Sequence, residues 1–133
     1  MGKDVKYVLE LSEEQARALQ NAAELYARLR LGQWSSELPR LCIDLKAEDF
    51  CRKRDEVAEL LDSARKIAMP ELPKGASYGV GRIPDADKAW ELYTVLRYAI
   101  AWHEHPEGGI GVCFDKPRSY SGEPLPTCTV VRE

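Results

Sequence analysis

Nowhere does this sequence approach the roughly 20 consecutive apolar residues that a membrane-spanning helix needs. Its start, MGKDVKYVLEL, has neither the basic region and apolar core nor the small-residue cleavage site of a secretory signal. Lysine stands where a myristoylation signal wants Ser or Thr, so the Met-Gly beginning does not make one. A cytoplasmic protein without a membrane partner is expected. A basic surplus is also missing: net charge is −3 at pH 7, which argues against a broad basic face for duplex nucleic acid or anionic lipid. Small anions stay open, because eleven of the nineteen basic residues are Arg, whose planar fork grips phosphate in a bidentate way. The four cysteines, Cys42, Cys51, Cys113 and Cys128, form no C-x-x-C pair. They read as reduced, mostly buried small hydrophobes of an intracellular protein.

Chemical motifs are equally scarce. There is no G-K-S/T of a Walker A loop, no G-x-G-x-x-G, no G-x-S-x-G, no paired H-x-[ST] and no dense carboxylate cluster. The only histidines, His103 and His105, lie two apart before Pro106, a spacing explained by helix termination rather than by a metal. No cofactor is called for, and binding is favoured over catalysis.

What is present suits one domain over residues 1–133, with 44% hydrophobic and 31% charged residues. Val5, Tyr7, Leu9 and Leu11 alternate with polar residues, which predicts a strand over about 5–11. Ser12 and Gln15 form a capping box, and Leu19, Ala22, Ala23, Tyr26 and Leu29 make an apolar stripe, predicting a helix over about 13–31 that stops at Gly32. The stretch QWSSELPRLCIDL admits a short helix capped by Ser35 or Ser36, with Pro39 tolerable only in a first turn. Phe50, Val57, Leu60, Leu61, Ala64 and Ile67 predict a second long helix over about 47–68, with RKRDE as its solvated face.

A third helix, over about 85–104, carries Trp90, Tyr93, Leu96, Ile100 and Trp102 and is apolar around much of its circumference, wide enough to reach a subunit interface. The period then returns to two, predicting strands over about 110–115 and 125–131. The expected fold class is therefore α+β: a small antiparallel sheet of three strands packed with two long helices and the apolar third one.

Three segments invite a ligand. GASYGVGRIPD, residues 75–85, combines glycines with Tyr78 as a stacking face, Arg82 as a cation and a helix N-terminus just beyond. A Gly-rich turn is the plain alternative. Arg28, Arg30 and Trp34 cluster around the end of the first helix, where phosphate pairing and base stacking compete with simple C-terminal charge. The loop DKPRSYSGEP holds Arg118 and Ser119 and exceeds the usual hairpin length, either for function or as a solvated tip.

The order of LYARLRLGQW, then MPEL and SYGVGRIPD, then PEGGIGVCFDKPRSYSGEPLPTCTV resembles small proteins of Firmicute phages and prophages, in particular the first-described anti-Thoeris family. The resemblance implies a sponge in the cytosol of the infected host, which binds cyclic ADP-ribose isomers made by TIR-domain defence proteins without hydrolysing them. It implies dimers assembled into a hexamer with pockets between subunits, and some members hold cyclic trinucleotides in separate pockets. Carried onto this sequence, Arg28 and Arg118 match arginines that clasp phosphate and Tyr78 matches a central aromatic, with Arg82, Arg30 and Trp34 as weaker matches. A nucleotide-degrading enzyme, or a phage inhibitor that binds a host protein, are the alternatives.

Overall fold

The computed structural model describes residues 5–132; the Met-Gly reading falls on residues 1–4 and lies outside them. Four helices follow in order: α1 Glu13–Arg30, α2 Trp34–Cys42, α3 Phe50–Ala68 and α4 Pro84–Glu104, with a 3-10 turn at Val112–Phe114. None of the four is long and apolar enough to cross a membrane.

The start of α1 is built by the capping box. Ser12 Oγ accepts from Gln15 N at 3.1 Å, and Gln15 Oε1 accepts from Ser12 N at 3.0 Å, so two end groups are satisfied reciprocally. The helix ends at Gly32, whose φ of 95° suits glycine and whose added Cβ would meet Leu72 at 2.8 Å. Helix α4 starts with Pro84 at its first position, where the missing N–H costs nothing.

Helices α1 and α4 run antiparallel as the principal packed pair. Arg17 bonds Glu104 at one end, and Arg30 meets Asp85 at 3.4 Å at the other. Buried Ala23, Ala27 and Leu31 from the α1 side, with Ala86, Tyr93, Val95 and Leu96 from α4, form the core. The small alanines let the two backbones approach closely, and the stripe is turned from its expected setting: Ala22 and Tyr26 are exposed.

Helix α2 packs on α3. Pro39 lies inside α2 rather than in its first turn, and Ser35 and Ser36 do not cap it. The proline is almost wholly buried, so packing offsets the hydrogen bond its nitrogen cannot make. On α3 the expected stripe holds only in part: Phe50, Val57 and Leu61 are half-buried, but Leu60 and Ile67 are 73% and 86% exposed, while Arg65 is buried. Arg65 donates to the carbonyls of Gly32 and Pro73, each at 2.8 Å, and of Ala76, tying the α1–α2 turn to the loop after α3.

The expected sheet is overturned: the described residues contain no strand, and the fold is all-helical rather than α+β. Residues 5–11 and 125–131 have no regular structure, and a strand exists only where a neighbour accepts its ladder bonds. Pro126 removes a donor from the second segment, and Pro124 stands immediately before it. Residues 110–115 fail for another reason. Phe114 folds back edge-on to Trp102, with ring centroids 5.5 Å apart, and Trp102 Nε1 donates to Phe114 O at 3.3 Å. That contact winds Val112–Phe114 into a turn. The cysteines also depart from expectation: Cys42, Cys51 and Cys128 are exposed and Cys113 is half-buried.

Candidate functional site

The C-terminal end of α1, the N-terminal end of α4 and the loop over residues 70–83 come together. Tyr78 N donates to Leu31 O at 2.9 Å, which fastens the loop to the end of α1. Gly81 N donates to Asp87 Oδ1 at 2.7 Å, and this carboxylate, buried on α4, fastens the other side. Gly75 and Gly81 have φ of 80° and 94°, which suits glycine, whereas Gly79 does not need it. A Cβ added at any of the three meets nothing within 4 Å. In the single chain these glycines therefore shape the loop and do not line a tight cradle.

Around this junction lie Arg28, Arg30, Trp34, Tyr78 and Arg82. Arg28 donates from Nε to Glu24 at 3.0 Å and from Nη1 to Gln33 at 2.8 Å, stands 3.7 Å from Glu37, and covers the Trp90 ring at 5.2 Å. Its charge is thus held between two carboxylates and an aromatic face. Trp34 Nε1 donates to Leu29 O at 2.9 Å, so its ring caps the end of α1. The Tyr78 hydroxyl bonds Glu71, which raises the phenol above its ordinary value and holds the carboxyl below its own. Arg82 is exposed close enough to Tyr78 for its charge to act on the phenol.

The closing loop is fixed by a residue that motif reading passed over. Glu91, 2% exposed, accepts from Tyr120 N at 2.6 Å, Ser121 N at 2.5 Å and Ser121 Oγ at 2.8 Å. Burial alone pushes this carboxyl up, but the Ser121 and Tyr120 bonds outweigh burial and bring it below its ordinary value. Ser119 Oγ donates to Ser121 O at 3.2 Å, which stiffens the loop, while Arg118 is exposed. Arg118 and Ser119 therefore reach the same helix as the junction cluster, by the Glu91 anchor, without joining that cluster directly.

Asp87 and Glu91, four apart on α4, are both buried carboxylates that hold a loop by its backbone. The signal for them was present: acidic residues one turn apart in an otherwise apolar helix must find donors if buried. Trp90, expected only as part of the apolar circumference of this helix, is the ring on which Arg28 rests.

Two concavities lie away from these residues. One, about 500 Å³, is lined by Glu59, Asp62, Arg65, Lys66 and residues 70–74. The other, about 320 Å³, lies where the start of α1 meets the end of α4. Neither is lined by Arg28, Tyr78, Arg82 or Arg118. No protein-family model, curated protein or solved structure matches the chain.

Proposed function

We propose that this chain is a binding protein that captures cyclic nucleotide signals, cyclic ADP-ribose isomers such as glycocyclic ADP-ribose and also cyclic oligonucleotides, and holds them without cleavage. In this reading it is a phage anti-defence protein acting in the host cytosol. The observation that supports it is the gathering of Arg28, Arg30, Trp34, Tyr78 and Arg82 at one end of the α1–α4 pair. Such a signal carries a pyrophosphate and a flat base, which call for guanidinium forks and aromatic faces and for no nucleophile.

Arg28 illustrates the chemistry. Glu24 and Glu37 hold the guanidinium on Trp90, so it is oriented before ligand arrives and exchanges carboxylate for phosphate oxygen. Because Arg82 and Arg118 are exposed in one chain, we place the pocket between subunits of dimers that assemble into a hexamer, where a second copy closes it. Arg118, on the anchored closing loop, then supplies a further fork across that interface.

The test mixes purified protein with glycocyclic ADP-ribose, removes free ligand by filtration, denatures the protein and identifies what is released. Intact signal is expected in the released fraction, with capture reduced about tenfold or more in Arg28→Ala and Arg118→Ala. Free and unchanged signal, or product accumulating beyond one equivalent, overturns the proposal. Undiminished capture by both variants overturns the placement of the site.

A further inference from the structure

The cleft of about 320 Å³ lies at the opposite end of the helix pair from the Arg28 cluster, where Arg17 bonds Glu104. Its polar wall is Arg17, Gln20, Arg97, Glu104 and His105, with the Glu104 carboxylate taken up by Arg17, and Ile100 and Phe114 supply an apolar wall. Arg17 is compensated, since Glu13 and Glu104 both bond it. Arg97 is not. Its guanidinium lies over the Tyr93 ring at 4.9 Å, and Nη1 donates to the Tyr93 hydroxyl at 3.3 Å. No carboxylate pairs with it among the described residues, and its Nε is buried without a hydrogen-bond partner.

A guanidinium is charged at every accessible pH, and a buried donor without a partner costs free energy that folding must supply elsewhere. Arg17, Arg28, Arg30, Arg40, Arg52 and Arg54 have carboxylate partners, and among the arginines without one Arg97 is set apart by its buried, unpartnered Nε. Such an arrangement is complete when an anion occupies the open side of the fork.

We propose that this cleft binds a small phosphate monoester, with the phosphoryl oxygens on Arg97 and a single flat or apolar moiety against Ile100 and Phe114. Gln20 and His105 stand on the same wall and supply further donors. The volume lies at the low end of ligand pockets, enough for a phosphate with one ring and too small to enclose a dinucleotide-like signal. The site is therefore distinct in position and in ligand size from the one proposed above, and does not depend on it.

The probe is phenyl phosphate, with inorganic phosphate alongside, titrated into the full ¹⁵N-labelled chain while the Arg97 Nε–H resonance is followed. Saturable movement of that resonance is expected, with phenyl phosphate binding more tightly than inorganic phosphate because only it meets the apolar wall. Arg97→Gln should weaken binding about tenfold or more. Should that variant fail to fold, Gln20→Glu tests the same point by placing a carboxylate on the cleft wall, and it should abolish phosphate binding while capture of the cyclic signal is unchanged. Absence of saturable binding at millimolar phosphates overturns the proposal, as does binding that Gln20→Glu leaves intact. An Arg97 resonance that shifts with protein concentration alone, with no response to phosphate, assigns the anion to a carboxylate of a second copy and equally overturns it.

Discussion

Glu91 shows how one side chain settles the position of a loop. A carboxylate that is 2% exposed would be costly without donors, and two backbone N–H groups and a hydroxyl supply them. Replacing it with Gln keeps the shape but removes the charge and sets an amide among donors. A loss of about 2–3 kcal/mol is expected from the urea midpoint, together with faster amide exchange at Tyr120 and Ser121. The pH dependence follows from the sign of the shift. A carboxyl lowered by folding contributes stability that is complete above its unfolded value near 4.3 and is lost as pH falls through the lower folded value. The stability gap between the wild-type protein and Glu91→Gln should thus narrow progressively below about pH 4; a constant gap would show that the charge contributes nothing. Motif reading selected Arg118 and Ser119 in this loop but not the acid that holds it, because the partner lies about thirty residues earlier in the chain.

Among the elements, the end of α4 gives the sharpest contrast. Gly108 has φ of 82°, and an added Cβ would come within 2.9 Å of the Trp102 ring, which also packs on Phe114. Gly108→Ala is expected to cost about 1–3 kcal/mol and to change the Trp102 emission, since both the backbone and the ring must shift. Gly79→Ala is the matched control: it has no positive φ and no neighbour within 4 Å, so a change within about 0.5 kcal/mol of zero is expected in the same melting experiment. Equal losses at the two positions would reject the packing explanation. The helices themselves were legible. Ser12 with Gln15, Gly32 and Pro84 are local signals that operate within a turn of their own positions, and the observed helices lie within three residues of those expected. The alternating segments were not, because period two says that a strand would have one apolar face but not that any neighbour is there to pair with it.

The whole chain exposes 9979 Å², whereas a compact monomer of its 15.0 kDa exposes roughly 7,000 Å². The excess belongs partly to apolar groups: Tyr7 and Val8 are 96% and 92% exposed on the N-terminal segment, Leu60 and Ile67 stand out from α3, and Val131 lies on the C-terminal one. Surface of this kind is what association removes from water. Sedimentation at micromolar concentration should therefore give a mass that is a multiple of 15.0 kDa, up to six, and Tyr7→Glu combined with Leu9→Glu should shift it to smaller species. A wild-type chain sedimenting at 15.0 kDa would reject association, and with it the pocket between subunits.

The sequence by itself determined where the three long helices lie, since caps, glycines and the 3.6-residue period act through neighbours in the chain. It also determined the supply of arginines and rings from which a nucleotide site can be made. Tertiary structure decided what those groups meet. It set Arg28 between Glu24, Glu37 and Trp90, used Arg65 to close three loop carbonyls instead of leaving it on a solvated face, and made Asp87 and Glu91 the anchors of two loops. It also left residues 5–11 and 125–131 without a sheet. The physical reason is distance along the chain: Trp90 for Arg28, Gly32 for Arg65, Tyr120 and Ser121 for Glu91, and the neighbour that a strand ladder needs are all remote in sequence, and no local pattern specifies which partner folding will bring.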